Sequence, residues 1–367
     1  MEAHSPAQVS TKAKLLLVFF GVLLSALALE GTVRLISSPP SSKKQRPAWS
    51  DRPYAFFMPA DAGTLQDSNR HPKAPGAFRI AVVGDSFTFG PHLQLKDTFP
   101  KQLELMLNLN PEAPRVEVLN RGVSGASTET ETEFVRRALR EDLDLLVLEI
   151  TLNDAEPHLP TPEERRELFE APWLESPFFK VWRTAGFVAQ RIHNSLTVSR
   201  YIDYHTKFYK EPESYKRFSA AIRVIAQDAK NAGVPIIAVV FPFFDFPIND
   251  RYPFRESHEI IGRTLKEAGI AGFDLLPVYR GIPPERLQVI PGADSHPNEI
   301  AHRMAAERLV AILSHQKLVP ETSVPTRVSR ERDALRTNSG DFKKNMGQGF
   351  RPFASHEAPA ATREDIR

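Results

Sequence analysis

The sequence predicts an α/β fold in which a parallel sheet of about five strands is covered by helices on both faces. Short, continuous apolar runs, such as LDLLVLEI at 143–150 and VPIIAVVF at 234–241, alternate with segments of helical apolar spacing. Strands that are buried on both faces have such runs, and parallel strands need a long crossover between them. Polar, glycine-bearing clusters follow several runs, at the sheet edge where ligands bind in folds of this kind.

The predicted elements alternate along most of the chain. The predicted strands are Phe78–Val83, Val116–Leu119, Leu143–Ile150, Val234–Phe241 and Phe273–Leu276. The predicted helices around them are Thr98–Leu109, Thr128–Arg140 and Pro297–Leu313. Residues 155–233 interrupt the pattern as an aromatic-rich helical insertion. Two interpretations of this insertion stay open: a cap that shapes the substrate pocket, or extra helical packing at the sheet edge.

An apolar run at the N-terminus predicts a membrane segment. The run Leu15–Leu29 becomes long enough to cross a bilayer if it continues to Ile36. Lys12 and Lys14 precede it, so the remainder of the chain is predicted to lie outside the cytoplasm. A cleaved signal peptide is the competing interpretation, because Ala26-Leu27-Ala28 resembles a cleavage site. We predict an uncleaved anchor at 15–36, after a cytoplasmic segment at 1–14, since apolar residues resume beyond that site.

Composition narrows the possible functions. The 367 residues carry a net charge of +2 and no evident basic stripe, so no nucleic-acid partner is expected. The absence of cysteine excludes disulfides, a thiol nucleophile and cysteine-ligated metals. Residues 37–75 are predicted to be a linker and 317–367 a disordered tail, which leaves a domain at 76–316. Asp245, Asp250 and His258 lack convincing metal spacing, and we expect neither a metal nor a cofactor.

Four clusters at predicted loop positions carry residue types that are used in catalysis. They are GDSFTFG at 84–90, NRGVSGAST at 120–128, TLND at 151–154 and DSHPN at 294–298. The first three directly follow predicted strands, and the fourth precedes the last predicted helix. Because the carboxyl ends of parallel strands meet at one sheet edge, we expect the clusters to converge there.

The clusters contain the groups that acyl transfer requires. Ser86 lies between a strand and a helix and is the candidate nucleophile, with His296 as the base that activates it. Asp294 is the candidate partner that fixes the orientation of the imidazole. The backbone N–H groups of Ser86 and Gly125 and the side-chain amide of Asn153 are the candidate oxyanion-hole donors.

Each of these residues also has a plainer interpretation. Ser86 and Asp294 could cap helices, and Asn153 and Gly125 could be turn residues. The co-occurrence of four clusters favours the catalytic interpretation. Gly122 is a rival oxyanion glycine, although Gly125 fits the cluster better.

Three further features have predicted roles. Asp85 is expected to bond within its own turn, and His302 is expected to be a packing or surface histidine. The loop at 241–247 holds four phenylalanines, which either line an apolar acyl pocket or bury themselves.

The four clusters resemble the blocks of the SGNH (GDSL-like) hydrolase superfamily, in its membrane-anchored exported bacterial form. The resemblance implies a flavodoxin-like three-layer α/β/α fold and serine-dependent ester hydrolysis or acyl transfer. Two features depart from the usual blocks. Thr151 stands where the asparagine block usually has glycine, and Asp294 and His296 form a D-x-H block instead of D-x-x-H. We therefore expect these two residues to meet only if the chain turns tightly.

These observations predict an extracytoplasmic serine esterase that deacylates carbohydrate or lipid esters through an acyl-enzyme. Its substrate is expected to be a small-molecule or glycan ester, and its membrane contact the N-terminal helix. If that segment is cleaved, the protein would be secreted. One alternative is an O-acyltransferase that acts on cell-surface polysaccharide, and another is a catalytically inactive envelope binding protein.

Overall fold

The computed structural model describes residues 10–37, 67, 72–157, 160–292 and 294–325, and the chain forms two compact units. One unit combines Met1–Gln45 with Pro160–Asp203, and the other combines Arg46–Leu159 with Tyr204–Arg367. Most of the predicted linker and the chain beyond residue 325 lie outside the described residues.

The α-helices of the described ranges follow in chain order. They are α1 (Thr11–Ile36), α2 (Ser86–Phe89), α3 (Phe99–Leu107), α4 (Thr128–Ala138), α5 (Pro162–Phe169), α6 (Pro177–Val181), α7 (Arg183–Lys210), α8 (Pro212–Asn231), α9 (Arg255–Glu267) and α10 (Glu299–His315). Short 3₁₀ turns occur at Leu95–Asp97, Pro172–Glu175, Leu276–Tyr279, Pro284–Arg286 and Glu321–Ser323.

The second unit is built on a five-stranded parallel sheet, which confirms the predicted fold class. Its strands are β1 (Phe78–Gly84), β2 (Val116–Gly122), β3 (Leu145–Ile150), β4 (Ile236–Val240) and β5 (Ala271–Asp274). Their order in the sheet is β2-β1-β3-β4-β5, which is the flavodoxin-like order. All six residues of β3 are buried, as expected for a strand covered on both faces.

The sheet register brings three strand ends together at one edge. Gly84 at the end of β1 pairs with Gly122 at the end of β2, and Val83 pairs with Leu148 of β3. Because β1 lies between β2 and β3, the loop that follows β1 lies between the loops that follow its two neighbours. This arrangement positions the first three predicted clusters side by side.

Two structural features were not predicted. Helix α9 buries Ile261 and Leu265, which lie four residues apart and therefore on one helix face. A small antiparallel pair, β6 (Gln288–Ile290) and β7 (Asp294–Pro297), precedes α10. These strands are three and four residues long and carry polar side chains, so they have no recognisable apolar alternation.

The predicted linker and tail both contribute ordered residues to the second unit. Asp67 is buried, where its carboxylate accepts the Asn120 N–H at 3.2 Å and its carbonyl accepts the Arg121 guanidinium at 2.7 Å. At the other end, residues 317–325 are ordered, and the Asn110 amide donates to the Thr322 carbonyl at 3.1 Å. Residues before 76 and after 316 therefore pack against the domain predicted at 76–316.

The first unit contains α1, a 26-residue helix whose length and apolarity suit a membrane span. Nearly all of its apolar side chains are exposed, and Val33 is its buried residue. The carboxylate of Glu30, near its C-terminal end, accepts the backbone N–H groups of Arg183 and Thr184, each at 2.8 Å. Glu30 also pairs with Arg34 at 2.8 Å. These bonds attach the end of α1 to the beginning of α7.

Candidate active site

Ser86 is the first residue of α2, directly after the turn that ends β1. The Asp85 carboxylate caps this short helix by accepting the Phe87 N–H at 2.8 Å. The turn is tight: a Cβ on Gly84 would lie 2.4 Å from both Glu149 Oε2 and Thr88 Oγ1. Glycine at position 84 therefore allows α2 to begin immediately at the strand end.

The structure brings Ser86, His296 and Asp294 into one hydrogen-bonded chain. Ser86 Oγ lies 2.9 Å from His296 Nε2, and His296 Nδ1 lies 2.6 Å from Asp294 Oδ1. Ser86 is 7% exposed, whereas the His296 side chain is 33% exposed. The His296 imidazole is thus hydrogen-bonded to both partners and is still partly exposed to solvent.

The D-x-H block lies in a β-strand and does not form the tight turn that we expected. Asp294 and His296 both belong to β7, and residues two apart in a strand have side chains on the same face. Extended backbone therefore aligns the carboxylate with the imidazole. The Asp294 carboxylate also accepts the His296 backbone N–H at 3.1 Å, which fixes the residues relative to each other.

The electrostatic surroundings of His296 make its imidazole more basic. Burial alone would lower the pKa of His296, but the hydrogen bond and negative charge of Asp294 raise it above its ordinary value. Burial likewise opposes ionisation of Asp294, but hydrogen bonds from His296 and His92 hold the pKa of that carboxyl well below its usual range. Asp294 is therefore a carboxylate at neutral pH.

Asp85 has a wider role than the local turn predicted for it. Its Oδ2 accepts the Thr151 hydroxyl at 3.0 Å and the Asn153 side-chain amide at 2.9 Å. Ser86 Oγ lies 3.4 Å from the same oxygen. Asp85 thus connects the GDSFTFG cluster at 84–90 to the TLND cluster at 151–154. Thr151, which replaces the usual glycine, supplies a hydroxyl to this connection.

The candidate oxyanion donors follow neighbouring strands. The Ser86 N–H is at the first position of α2 and so lies outside the hydrogen-bond ladder of that helix. Gly125 lies in the loop after β2 with a φ of 80°, which glycine adopts without strain. The Gly122 N–H is already bonded to Asn120 Oδ1 at 3.0 Å. Gly125 therefore stays the candidate backbone donor of this loop, because the N–H of its rival is already bonded.

The sequence matches the GDSL-like lipase/acylhydrolase family over residues 82–304, which is more than half of the chain. The chain belongs to this family. It is accordingly a hydrolase of ester bonds, as the four clusters predicted. No match was found among curated proteins.

Several solved structures resemble the chain at low sequence identity. One is Axe2, an acetylxylan esterase from Geobacillus stearothermophilus, with 15% identity, a TM-score of 0.41 and coverage of 64% of this chain and 92% of that one. A second is TesA, with 18% identity, a TM-score of 0.40 and coverage of 66% and 99%. A third is the acetyl xylan esterase AlAXEase, with 12% identity, a TM-score of 0.42 and coverage of 64% and 100%.

The phenylalanine loop packs around Phe87, the residue that follows Ser86. Phe241, Phe243 and Phe244 are buried, and their ring centroids lie 5.8, 6.1 and 6.3 Å from that of Phe87. The centroid of the His296 ring lies 5.6 Å from that of the Phe87 ring. The buried interpretation of the loop therefore holds for these three rings, which pack around Phe87 next to His296.

A group of buried carboxyl groups lies next to the turn that contains Asp85 and Ser86. This group was not predicted. Glu149 Oε2 accepts the Thr88 hydroxyl at 2.9 Å and the Asp85 N–H at 3.3 Å. Burial, reinforced by neighbouring carboxylates, raises the pKa values of Glu149, Glu131 and Asp154 well above the ordinary range. Neither carboxyl oxygen of Glu131 has a hydrogen-bond partner among the described residues.

Glu131→Gln is expected to flatten the dependence of stability on pH. The folded-state pKa of Glu131 is raised above 4.5, so the stability it contributes is complete below about pH 4.5 and is lost as pH rises toward the folded value. The variant should therefore lose less stability than the parent between pH 5 and pH 8. Thermal melts across this range test it, with a shift of about 2–4 °C for each kcal/mol.

Glu133→Gln is the matched control for this prediction, because Glu133 lies on the same helix and its side chain is half exposed. It should retain the parent slope. A Glu131→Gln slope identical to that of the parent would contradict the raised pKa.

His92 contacts the second oxygen of the predicted triad carboxylate. Its Nε2 lies 3.3 Å from Asp294 Oδ2, and its side chain is 3% exposed. Its φ of 66° is in the left-handed region, which is costly for a residue with a Cβ. Sequence reasoning missed His92; its only signal was a histidine six residues after the candidate nucleophile. We therefore predict that His92 positions the Asp294 carboxylate.

His92→Phe is expected to lower kcat by about tenfold, the cost of losing one hydrogen bond to a charged group. Without that donor the Asp294 carboxylate becomes more basic, so the acid limb of the pH–rate profile should move to higher pH. His258→Gln is the control, because the buried His258 pairs with a different carboxylate, that of Asp274, at 2.9 Å. The His258→Gln variant should change the stability of the protein but leave the acid limb of the pH–rate profile in place. An unmoved limb in His92→Phe would refute the positioning role.

His302 packs in the interior, which is one of the two placements predicted for it. His302 is fully buried, and its Nδ1 accepts the Phe99 N–H at 2.9 Å. Burial, together with the charge of His296, lowers the pKa of His302 to about 3, so it stays neutral. Within the described ranges, no group of three or more His, Asp or Glu side chains is arranged to hold a metal ion.

Proposed function

We propose that the protein is a serine esterase that deacylates carbohydrate or lipid esters through an acyl-enzyme intermediate. Ser86 is the nucleophile, His296 the general base and Asp294 the residue that orients His296. The backbone N–H groups of Ser86 and Gly125 and the Asn153 amide form the oxyanion hole. The observation that carries the proposal is the pair of contacts of 2.9 Å and 2.6 Å that join the three side chains.

In acylation, the Ser86 hydroxyl donates its proton to His296 Nε2 as Oγ attacks the ester carbonyl. The Nδ1–H of His296 donates to Asp294 Oδ1, which stabilises the imidazolium that forms. Negative charge develops on the carbonyl oxygen, where the oxyanion donors stabilise it. His296 then protonates the departing alcohol, and the acyl group stays on Ser86.

Deacylation repeats these steps with water as the nucleophile. His296 accepts a proton from water, the tetrahedral intermediate collapses, and the carboxylic acid is released as Ser86 recovers its proton. A sugar hydroxyl in place of water would instead give O-acyl transfer. Measuring acid release against acylated glycan separates these two outcomes.

Labelling with a fluorophosphonate tests the proposed nucleophile. This reagent phosphonylates an activated serine, so the native protein should be labelled and Ser86→Ala should not be. Ser199→Ala is the matched control, because Ser199 is exposed on α7. It should label as the native protein does. Labelling that persists in Ser86→Ala would remove Ser86 as the nucleophile.

We further propose that α1 is an uncleaved anchor and that the catalytic domain, approximately residues 76–316 with an insertion at 155–233, is extracytoplasmic. The bonds from Glu30 to the beginning of α7 support this proposal, because cleavage after Ala28 would leave Glu30 on a short remnant of the helix. N-terminal sequencing of the mature protein tests it. A chain that begins at Leu29 would contradict it.

A further inference from the structure

A cluster of aromatic side chains in the first unit is exposed although its members are large and apolar. The aromatic cluster consists of Trp173, Phe178, Phe179 and Trp182, on the 3₁₀ turn at Pro172–Glu175 and on and just after α6. Three of these side chains, those of Trp173, Phe178 and Trp182, are 49–57% exposed. The rings contact one another, with centroid separations of 5.2 Å for Phe178–Phe179 and 5.7 Å for Trp173–Phe179.

The aromatic cluster is attached to the C-terminal end of α1. The Arg34 guanidinium donates to the Val181 carbonyl, at the end of α6. Glu30 accepts the N–H groups of Arg183 and Thr184, the two residues after Trp182. Arg183 also donates to the Ser37 carbonyl at 3.3 Å. Four bonds thus hold the chain on both sides of Trp182 against residues 30–37.

Helix geometry gives the depth of this attachment in a bilayer. Lys14 marks the inner end of the apolar run, and Arg34 lies about 20 residues further along α1. At about 1.5 Å per residue, that length spans about 30 Å, the thickness of the hydrocarbon core. Residues 30–37 therefore reach the outer boundary between acyl chains and headgroups. Tryptophan is enriched at this boundary because its ring is apolar and its N–H is polar.

We infer that the aromatic cluster is a second membrane contact, which inserts into the outer headgroup–acyl boundary beside the anchor. This inference rests on the anchoring of α1 proposed above. The exposed apolar area of Phe178, Val181 and Trp182 is then covered by lipid. Lys180 is exposed in the same segment, where its ammonium can reach lipid phosphates.

A bilayer fits this surface better than a protein partner does, because the aromatic cluster is attached to the exposed apolar helix α1. The apolar surface of α1 is itself exposed along its length, and its C-terminal end is hydrogen-bonded to the segment that carries the cluster. A single lipid phase that surrounds α1 would therefore also meet the cluster. The contact would fix the rotation of the first unit about the anchor as well as its depth.

Tryptophan quenching in the full-length protein tests the inference. The chain has three tryptophans, so a Trp49→Phe background leaves Trp173 and Trp182 as the only emitters. The protein would be reconstituted into phosphatidylcholine–phosphatidylglycerol vesicles that carry brominated acyl chains. Bromines about 5–10 Å below the headgroups should quench emission by about half, and bromines at the bilayer centre should quench it less. Trp173→Phe and Trp182→Phe in this background assign the signal to each ring.

Two results would overturn the inference. Quenching by aqueous acrylamide, with no effect of bromolipid, would place the cluster in water. Protection from both quenchers would mean that protein covers it. Vesicle flotation separates these failures from a failure of the anchor, because a protein that does not float with vesicles would refute the anchor and the inference together.

Discussion

Replacing Ser86 with alanine should lower kcat/KM for a chromogenic acyl ester by about 10⁴–10⁶-fold. The substitution removes the oxygen that lies 2.9 Å from His296 Nε2 and with it the covalent route. The residual rate over the uncatalysed reaction would come from the oxyanion donors and substrate binding. Steady-state kinetics on full-length protein in detergent or vesicles provides the measurement.

Two comparisons sharpen this result. Groups that act as a unit are non-additive, so Ser86→Ala/His296→Ala should be no slower than Ser86→Ala alone. Ser199→Ala should retain the native rate, because Ser199 is exposed on α7. A Ser86→Ala protein with a native circular dichroism spectrum and less than a tenfold loss would require a different nucleophile.

Replacing Asp294 with asparagine should lower kcat by about 10⁴-fold, because the amide can donate to Nδ1 and stabilise the wrong imidazole tautomer. It should also shift the pH profile. The base must be neutral, so the rate falls as pH falls through the His296 pKa. Asp294 raises that pKa above 6.5, which places the acid limb of the native kcat/KM profile above pH 6.5.

Without the Asp294 charge, burial of the ring is the dominant influence and lowers the His296 pKa. The acid limb of Asp294→Asn should therefore lie at lower pH than that of the native protein. The opposite shift expected for His92→Phe provides an internal comparison. An acid limb unchanged in Asp294→Asn would show that the carboxylate does not control the base.

The sequence allowed the strand ends and the residues after them to be predicted, because both depend on local patterns. A buried parallel strand is a continuous apolar run, and polar clusters after such runs meet at one edge. Ser86 and Asn153 could be selected on that basis. The geometry of Asp294 and His296 could not, because β7 is too short and polar to show alternation.

The connections between clusters were also beyond sequence reasoning. Asp85 bonds to Thr151 and Asn153, which are more than sixty residues away, and nothing local in the sequence indicates that pairing. Glu149 lies in an apolar strand, where a single acidic residue could equally face a helix or solvent. The attachment of Glu30 to α7 is more remote still, since it spans about 150 residues.

Peptide mapping of the acyl-enzyme is the most direct test of the central claim that Ser86 carries the acyl group. A slowly deacylating ester would be mixed with the full-length protein, quenched in acid within the first turnovers and digested for mass spectrometry. If Ser86 is the nucleophile, an acyl mass increment should appear on Ser86 and be absent in Ser86→Ala. An increment on another residue, or sustained turnover with Ser86 unmodified throughout, would contradict it.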